Sequence, residues 1–188
     1  MRHHLFLLAI AALAVAGCKP TPVEKAHVAA PALASAPTPT PTPVVAVACA
    51  KDEKPFYICD FGAKRVAVCS KGATFIYRYG PSAKAELVLT RTAGQPGLLR
   101  DGIYGGGGGS QTSLTFVEGD YDYTVYSAVY GELTDIAGQT SSGLAVQKGH
   151  DEPVVRQCPL KTDAQSIGMV SIPEDVAVQT DESKSMWY

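Results

Sequence analysis

The chain has 188 residues, with 18 Asp or Glu against 16 Lys or Arg, and therefore a formal net charge of −2. Nucleic-acid binding requires a clustered positive surface, so this composition gives no basis for it. Charged residues are 18% of the chain, below the roughly 25% of an average globular protein, which predicts a sparsely charged surface.

The amino terminus has the pattern of a secretory signal peptide. An apolar run from Leu5 to Val15 follows Arg2, and two small residues then stand before Cys18. A positive start, a short apolar core and a small-residue cleavage site are typical of such peptides. The run is also too short to span a bilayer as a permanent helix. We therefore expect residues 1–17 to be a signal peptide that is removed on export.

The letters V-A-G-C at residues 15–18 resemble the lipobox of bacterial lipoproteins. In that family the cysteine is lipidated on its sulfur, the chain is cut before it, and the new amino terminus is acylated. The resemblance therefore implies lipidation of Cys18, and two or more acyl chains hold a protein firmly on a membrane. In Gram-negative lipoproteins an aspartate after the cysteine commonly retains the protein in the inner membrane, whereas this chain has Lys19. The resemblance thus implies a lipid anchor in the outer membrane, with the protein facing the periplasm.

Residues 18–47 are expected to be a lipidated tether rich in Pro, Ala and Thr. The run Thr38–Pro43 alternates threonine with proline, and proline disfavours a helix interior. Such a composition cannot bury enough apolar surface to offset the entropy of ordering it. The folded domain is therefore expected to begin at residue 48.

The remaining four cysteines predict a disulfide framework. An even number of cysteines in an exported chain is typical of disulfides, and their spacing does not match the short paired spacings of a zinc site. Four cysteines allow three pairings. Centring the first hairpin turn on residues 62–63 puts Cys59 near Val66 and Cys69 near Phe56, so Cys59 and Cys69 should not face each other. This arrangement favours the pairing Cys49–Cys69 with Cys59–Cys158.

Residues 48–160 are expected to form an all-β domain, a small disulfide-stabilised antiparallel barrel or sandwich of about eight strands. Short β-prone runs alternate with turn signals throughout this segment, and no convincing amphipathic helix interrupts them. The predicted strands are 56–59, 65–69, 74–79, 85–90, 113–117, 121–126, 143–147 and 154–158.

After Cys158 the chain is polar and mildly acidic, so residues 161–188 are expected to be an extended or disordered tail. Val170–Val178 could lie against the domain as an extended arm, whereas Thr180–Ser185 is expected to be disordered. The single tryptophan, Trp187, lies near the very end. A frayed end is the favoured interpretation, and a docking peptide is the alternative.

Several short motifs follow one another in an order that resembles a group of small, uncharacterised exported proteins of proteobacteria. The resemblance covers roughly residues 55–160, implies one all-β domain and supplies no site residues. Its motifs are VAVCS at 66–70, YRYG at 77–80, AELVL at 85–89, SLTFVEGDYDYTVY at 113–126, SGLAV at 142–146 and the closing Cys158.

A weaker likeness is to the periplasmic lysozyme inhibitors, which are small β-barrel lipoproteins with a disulfide. In that family a Ser-Gly loop with a nearby tyrosine enters the lysozyme cleft. Ser142 and Gly143 are followed here by Leu-Ala-Val, so the tyrosine of that family is missing.

The sequence predicts no catalytic, metal or cofactor site. His150 is the histidine of the folded region, and it could act as a base only if a serine such as Ser110 or Ser142 came close to it in space. The acidic turn at 118–122 could ligate calcium or supply paired carboxylates, but its three carboxylates are fewer ligands than calcium usually takes. A solvated turn is the favoured interpretation for both groups.

Tyrosine is enriched, with nine in the chain, and five consecutive glycines lie in the middle of the domain. Tyrosine gives a large contact area at low entropic cost and is favoured at interfaces. A glycine run is costly to order unless flexibility or close approach is needed. The predicted docking surface is therefore a flexible glycine loop with tyrosines nearby on the sheet: Tyr104, Gly105, Gly106, Gly107, Gly108, Gly109, Tyr121 and Tyr123.

These features predict a non-catalytic lipoprotein that binds a periplasmic protein partner and needs no cofactor. Its specific form is an inhibitor or immunity protein against a cell-wall-degrading enzyme, which the long tether, the disulfide-bonded domain and the lack of a catalytic set favour. The alternative is an envelope accessory lipoprotein that contacts peptidoglycan or an assembly machine.

Overall fold

Ten β-strands make up two sheets in the computed structural model, which describes residues 44–159 and 172–188. The predicted signal peptide, Cys18 and nearly all of the predicted tether lie outside these residues. Within the described parts, no helix is long and apolar enough to cross a membrane. The strands are β1 (Lys54–Asp60), β2 (Arg65–Lys71), β3 (Thr74–Gly80), β4 (Leu87–Thr92), β5 (Leu98–Tyr104), β6 (Gly109–Glu118), β7 (Tyr121–Tyr130), β8 (Thr140–Lys148), β9 (Val154–Gln157) and β10 (Ala177–Val178).

The four-stranded sheet is a meander with the order β1-β2-β3-β4, and the six-stranded sheet has the order β10-β5-β6-β7-β8-β9. Neighbouring strands are antiparallel, except that the short β10 runs parallel to β5. Side chains from both sheets share one apolar core, and the sheets do not close into a barrel. The all-β prediction is therefore confirmed, and the domain is a sandwich.

The core results from the alternation of side chains along each strand, which points every second residue at the opposite sheet. On β2, Val68 lies between Tyr57 of β1 and Tyr77 of β3, and all three side chains are fully buried. Leu114 and Phe116 of β6 meet them from the six-stranded sheet. Burial of such large side chains is the main favourable term in folding.

The predicted strands do not include β5, because its sequence LLRDGIY has no apolar alternation. Leu98 is buried in the core, but the next residues on the same face are Arg100 and Gly102. The Arg100 Nε donates a hydrogen bond to the Val176 carbonyl oxygen (3.0 Å). The strand is therefore formed by its ladder with β6, which is a tertiary effect that a local pattern does not reveal.

Residues 44–50 pack against the outer face of the four-stranded sheet. Val47 is fully buried beside Ala67 and Cys69 of β2. Its amide donates to the carbonyl oxygen of Ser82, and the amide of Ala85 donates to the carbonyl oxygen of Val45. The residues just before position 48 are therefore part of the folded domain rather than of a free tether.

Two disulfide bonds join parts of the chain that are distant in sequence. Cys49–Cys69 fixes the amino-terminal segment to β2, and its cysteines are 20 residues apart. Cys59–Cys158 links β1 to the residue that follows β9, and its cysteines are 99 residues apart. Because β1 and β9 are edge strands of different sheets, the second bond ties the two layers of the sandwich together. This is the pairing that the hairpin register favours.

Candidate functional site

The glycine run is an ordered turn packed on another part of the chain. Gly106–Gly108 forms a short 3-10 helix, in which the Gly108 amide donates to the Gly105 carbonyl. The carbonyl of Gly107 accepts from the Leu133 amide at 2.9 Å, and that of Gly108 accepts from the Gly131 amide at 3.1 Å. The run predicted as a flexible loop is thus a defined turn in this structure, which these hydrogen bonds join to residues 131–133.

Gly109 also has a structural reason to be glycine. Its φ is +116°, a conformation that side chains disfavour, and a Cβ there would lie 2.2 Å from the carbonyl oxygen of Val129. Such close backbone approach is the second reason that a glycine run can be retained. The glycines thus need no binding role to explain them.

The predicted docking residues fall into two groups that the structure does not bring together. Tyr104 is 68% exposed and lies next to the glycine turn. The register pairs Gly109 with Tyr130, whereas Tyr121 and Tyr123 lie at the other end of β7. For this ten-residue strand, the two ends are roughly 30 Å apart. The glycine turn and this tyrosine pair therefore cannot form one small site.

Tyr123 lines an apolar cleft that opens between the two sheets beside β9, and Tyr121 lies next to it. β9 is an edge strand of only four residues, so the gap between the sheets is accessible from this side. The strand register places every lining residue on the face that looks toward the opposite sheet. The lining residues are Tyr77 and Tyr79 of β3, Tyr123 of β7, Leu144 and Val146 of β8, and Val154 and Arg156 of β9.

The cleft has an unpaired hydrogen-bond donor in its lining. Tyr77 is fully buried, and its hydroxyl has no hydrogen-bond partner among the described residues. Burial, together with Tyr79 and Tyr123, raises the pKa of Tyr77 far above its ordinary value. The phenol therefore stays protonated, and a buried donor without a partner is costly to leave unsatisfied. A carbonyl or carboxylate oxygen that entered the cleft could accept this hydrogen bond once it displaced the side chains that cover the hydroxyl.

Three basic side chains lie at or near the cleft: Arg156 lines it, and Lys64 and Lys148 lie by the rings of Tyr79 and Tyr121. Lys64 forms an ion pair of 2.7 Å with Glu86, and Lys148 lies 5.7 Å from the centre of the Tyr121 ring. Arg156 is exposed and forms no ion pair with any described residue. The Glu86 hydrogen bond raises the pKa of Lys64, and the nearby Arg156 charge opposes this rise. At least one strong cation at the rim is thus available to a carboxylate.

An aromatic series continues from the cleft to the surface. The ring centres of Tyr77 and Tyr123 are 5.8 Å apart, and those of Tyr123 and Tyr121 are 6.2 Å apart and stacked. Tyr121 is 40% exposed. Aromatic rings of this kind offer contact area to a partner at little entropic cost. Tyr121 and Tyr123 therefore remain in the candidate site, while Tyr104 and the glycines do not.

The arrangement around His150 differs from that of a catalytic triad. His150 Nδ1 lies 3.2 Å from Ser183 Oγ, so its serine neighbour is neither Ser110 nor Ser142. The Ser183 hydroxyl in turn donates to Asp181 Oδ1 at 2.6 Å. In a triad the carboxylate orients the histidine rather than the serine. All of these side chains lie at the surface and outside the cleft.

Two of the three carboxylates at 118–122 each pair with a basic side chain. Glu118 pairs with Arg91, and Asp122 pairs with Lys184 on the opposite face of the sheet. Cys49, Glu53 and Cys69 cluster within metal-ligand distances, but the two sulfurs form a disulfide and offer no thiolate. Neither group has the converging free ligands that a cation site requires.

Sequence reasoning did not place Tyr77, Tyr79 and Arg156 in a site. Alternation along β3 puts the two tyrosines on one face, which is a signal available in the sequence. Which strands of the second sheet lie opposite that face depends on the packing of the sandwich. No family model, no curated protein and no solved structure matches this chain.

Proposed function

We propose that this chain is an exported, lipid-anchored binding module that holds a protein partner at the cleft between its sheets. The observation that supports this most is the composition of the cleft, with apolar walls, one unpaired buried donor and basic side chains at or near it. A few side chains that fill such pockets supply most of the affinity of a protein interface. The partner should insert one apolar side chain beside an oxygen acceptor and present carboxylates to Arg156 and Lys148.

The rigidity of the domain fits this role. The two disulfides hold the edge strands and the amino-terminal segment in place, and a preorganised surface loses less entropy when it binds. An inhibitor or immunity protein against a cell-wall-degrading enzyme is the specific form that we propose. Its partner would be an enzyme with an acidic patch around an apolar side chain.

The lipid anchor is tested by labelling. Cells that express the wild-type chain should incorporate labelled palmitate into it, and Cys18→Ser should abolish incorporation because the acylated sulfur is gone. Lys19→Asp serves as the matched control: it should keep the label but move the protein to the inner-membrane fraction. Label that persists in Cys18→Ser would contradict the anchor.

The partner is tested by photo-cross-linking in the cells that make the protein. A photoreactive residue at Val154, which is 66% exposed at the cleft mouth, should form an adduct with one protein. The same residue at Leu133 is the matched control, because that position is 85% exposed beside the glycine turn. Equal adducts at both positions would contradict the cleft as the contact. An adduct with peptidoglycan or with an assembly component would instead support the envelope accessory role.

A further inference from the structure

The outer face of the six-stranded sheet is polar and nearly buried, which is unusual for the outer face of a sandwich. Every residue in this set lies on the side of the sheet that points away from the core. None of them is more than 7% exposed: Gln111, Ser113, Thr115, Asp122, Thr124 and Gln147. Something must therefore lie across this face.

The carboxyl-terminal segment 181–188 lies there. Lys184 Nζ is 2.7 Å from Asp122 Oδ2 on β7, and the Ser185 hydroxyl donates to the Asp101 carboxylate on β5. Upstream, Ser183 contacts His150 in the turn between β8 and β9. Residues 181–188 therefore lie along the domain in this structure, whereas the sequence favoured a disordered Thr180–Ser185 and a frayed end.

The side-chain amide of Gln111 both donates a hydrogen bond to the backbone of this segment and accepts one from it. Its Nε2 donates to the Met186 carbonyl oxygen at 2.8 Å, and its Oε1 accepts from the Tyr188 amide at 2.9 Å. The amide thus takes the place of the backbone of a neighbouring strand. Hydrogen bonds to the main chain of an extended peptide give affinity whatever the peptide's sequence.

Two aromatic contacts supply selectivity. The Trp187 and Tyr130 ring centres are 5.9 Å apart, and those of Tyr188 and Tyr126 are 5.1 Å apart. The Tyr126 ring also needs Gly143 on β8, because a Cβ there would lie 2.7 Å from the Tyr126 hydroxyl. The face therefore has one acidic position for a cation and two aromatic positions for rings.

The segment covers this face but leaves some of its buried hydroxyl groups without a hydrogen-bond partner. None of residues 181–188 is itself buried, although the side chains beneath them are. The Tyr126 hydroxyl is fully buried and has no hydrogen-bond partner among the described residues, and the same holds for the Ser141 hydroxyl. The segment is therefore held by polar and ring contacts rather than by burial of its own side chains.

We propose that this face is a second binding surface, for an extended protein segment with a lysine followed by paired aromatic side chains, and that residues 181–188 occupy it as a tethered competitor. The chemistry of the occupant is that of the tail itself: a cation for Asp122, a hydroxyl for Asp101 and rings for Tyr126 and Tyr130. The inference is independent of the cleft, which lies on the inner faces of the sheets.

The probe is a synthetic peptide with the sequence of residues 181–188. This segment contains Trp187, the single tryptophan of the sequence. A chain that ends at residue 180 has no tryptophan, so the fluorescence of the added peptide reports binding directly. We expect the truncated chain to stay folded, with a melting temperature only a few degrees lower, and to bind the peptide. The full chain should bind it at least about tenfold more weakly, because a tethered segment competes at a high effective concentration.

Three variants sharpen the test. In the truncated chain, Asp122→Asn should weaken binding about tenfold, whereas Asp120→Asn in the neighbouring turn should leave it unchanged. In the full chain, Lys184→Glu should free the face and restore binding of the added peptide. A truncated chain that unfolds would show that the segment is an integral part of the fold and would overturn the proposal. A folded truncated chain that binds no peptide, or a full chain that exchanges tails with a second copy, would overturn it as well.

Discussion

Replacing both Cys59 and Cys158 with alanine should lower the free energy of unfolding by about 4–5 kcal/mol, on the chain-entropy account of cross-links. These cysteines are 99 residues apart and connect the two sheets. Without the bond the unfolded chain gains the freedom of a long loop, and the layers of the sandwich lose their covalent link. Urea unfolding of the oxidised proteins measures the change.

The matched control is the double replacement of Cys49 and Cys69. Their separation is 20 residues, so the same account gives a smaller loss of about 3 kcal/mol. The order of the two losses is the decisive result. A larger loss for Cys49–Cys69 would show that the two layers stay together through apolar packing alone.

Arg78→Met should lower the free energy of unfolding by about 3–5 kcal/mol, because it leaves the nearly buried carboxylate of Glu53 without its cationic partner. Arg78 on β3 forms a two-pronged ion pair with Glu53, with nitrogen–oxygen distances of 2.6 and 2.7 Å. The side chains are 9% and 7% exposed. The Ala50 amide donates to the same carboxylate at 2.9 Å.

Replacing both partners, as Arg78→Met with Glu53→Met, should cost clearly less than the sum of the two single changes, because no buried charge is then left alone. Additive losses in this double-mutant cycle would contradict the strong coupling that the geometry implies.

This ion pair also predicts a pH dependence. The hydrogen bonds from Arg78 hold the pKa of Glu53 below its ordinary value of 4.5, and the Ala50 amide adds to the effect. A carboxyl whose pKa is lowered by folding stabilises the fold above its unfolded pKa, and this contribution is lost as the pH falls through the folded pKa. The wild type should thus lose stability below about pH 4.5, whereas the double variant should lose less. An identical acid profile for both would contradict the assignment.

The strand pairing of the first hairpin was predictable because it depends on local signals. The turn at residues 61–64 sets the register, and the structure pairs Cys59 with Val66 as expected. Cys69 pairs with Pro55 rather than Phe56, because a bulge between Pro55 and Tyr57 shifts the register by one residue. The local pattern therefore sufficed to favour the disulfide pairing, since one residue of shift does not bring Cys59 opposite Cys69.

The features that sequence reasoning missed are all tertiary. β5 has no alternation and is held by its neighbour, and the tail has no pattern of its own that indicates the side of the sheet on which it lies. The cleft combines Tyr77 with Arg156, which come close only when the two sheets pack. The glycine run also has a tertiary explanation, because its close approach to Val129 and Gly131 accounts for Gly109 as well as flexibility does.

Cross-linking yield at the cleft mouth tests the central claim most directly. A photoreactive residue at Val154 should capture one protein, and Arg156→Glu in the same chain should reduce that adduct about tenfold, since reversing a rim charge repels the carboxylates of the partner. Lys51→Glu, which changes an exposed charge near the Cys49–Cys69 disulfide, should leave the yield unchanged. A partner captured equally well by all three chains would contradict binding at the cleft.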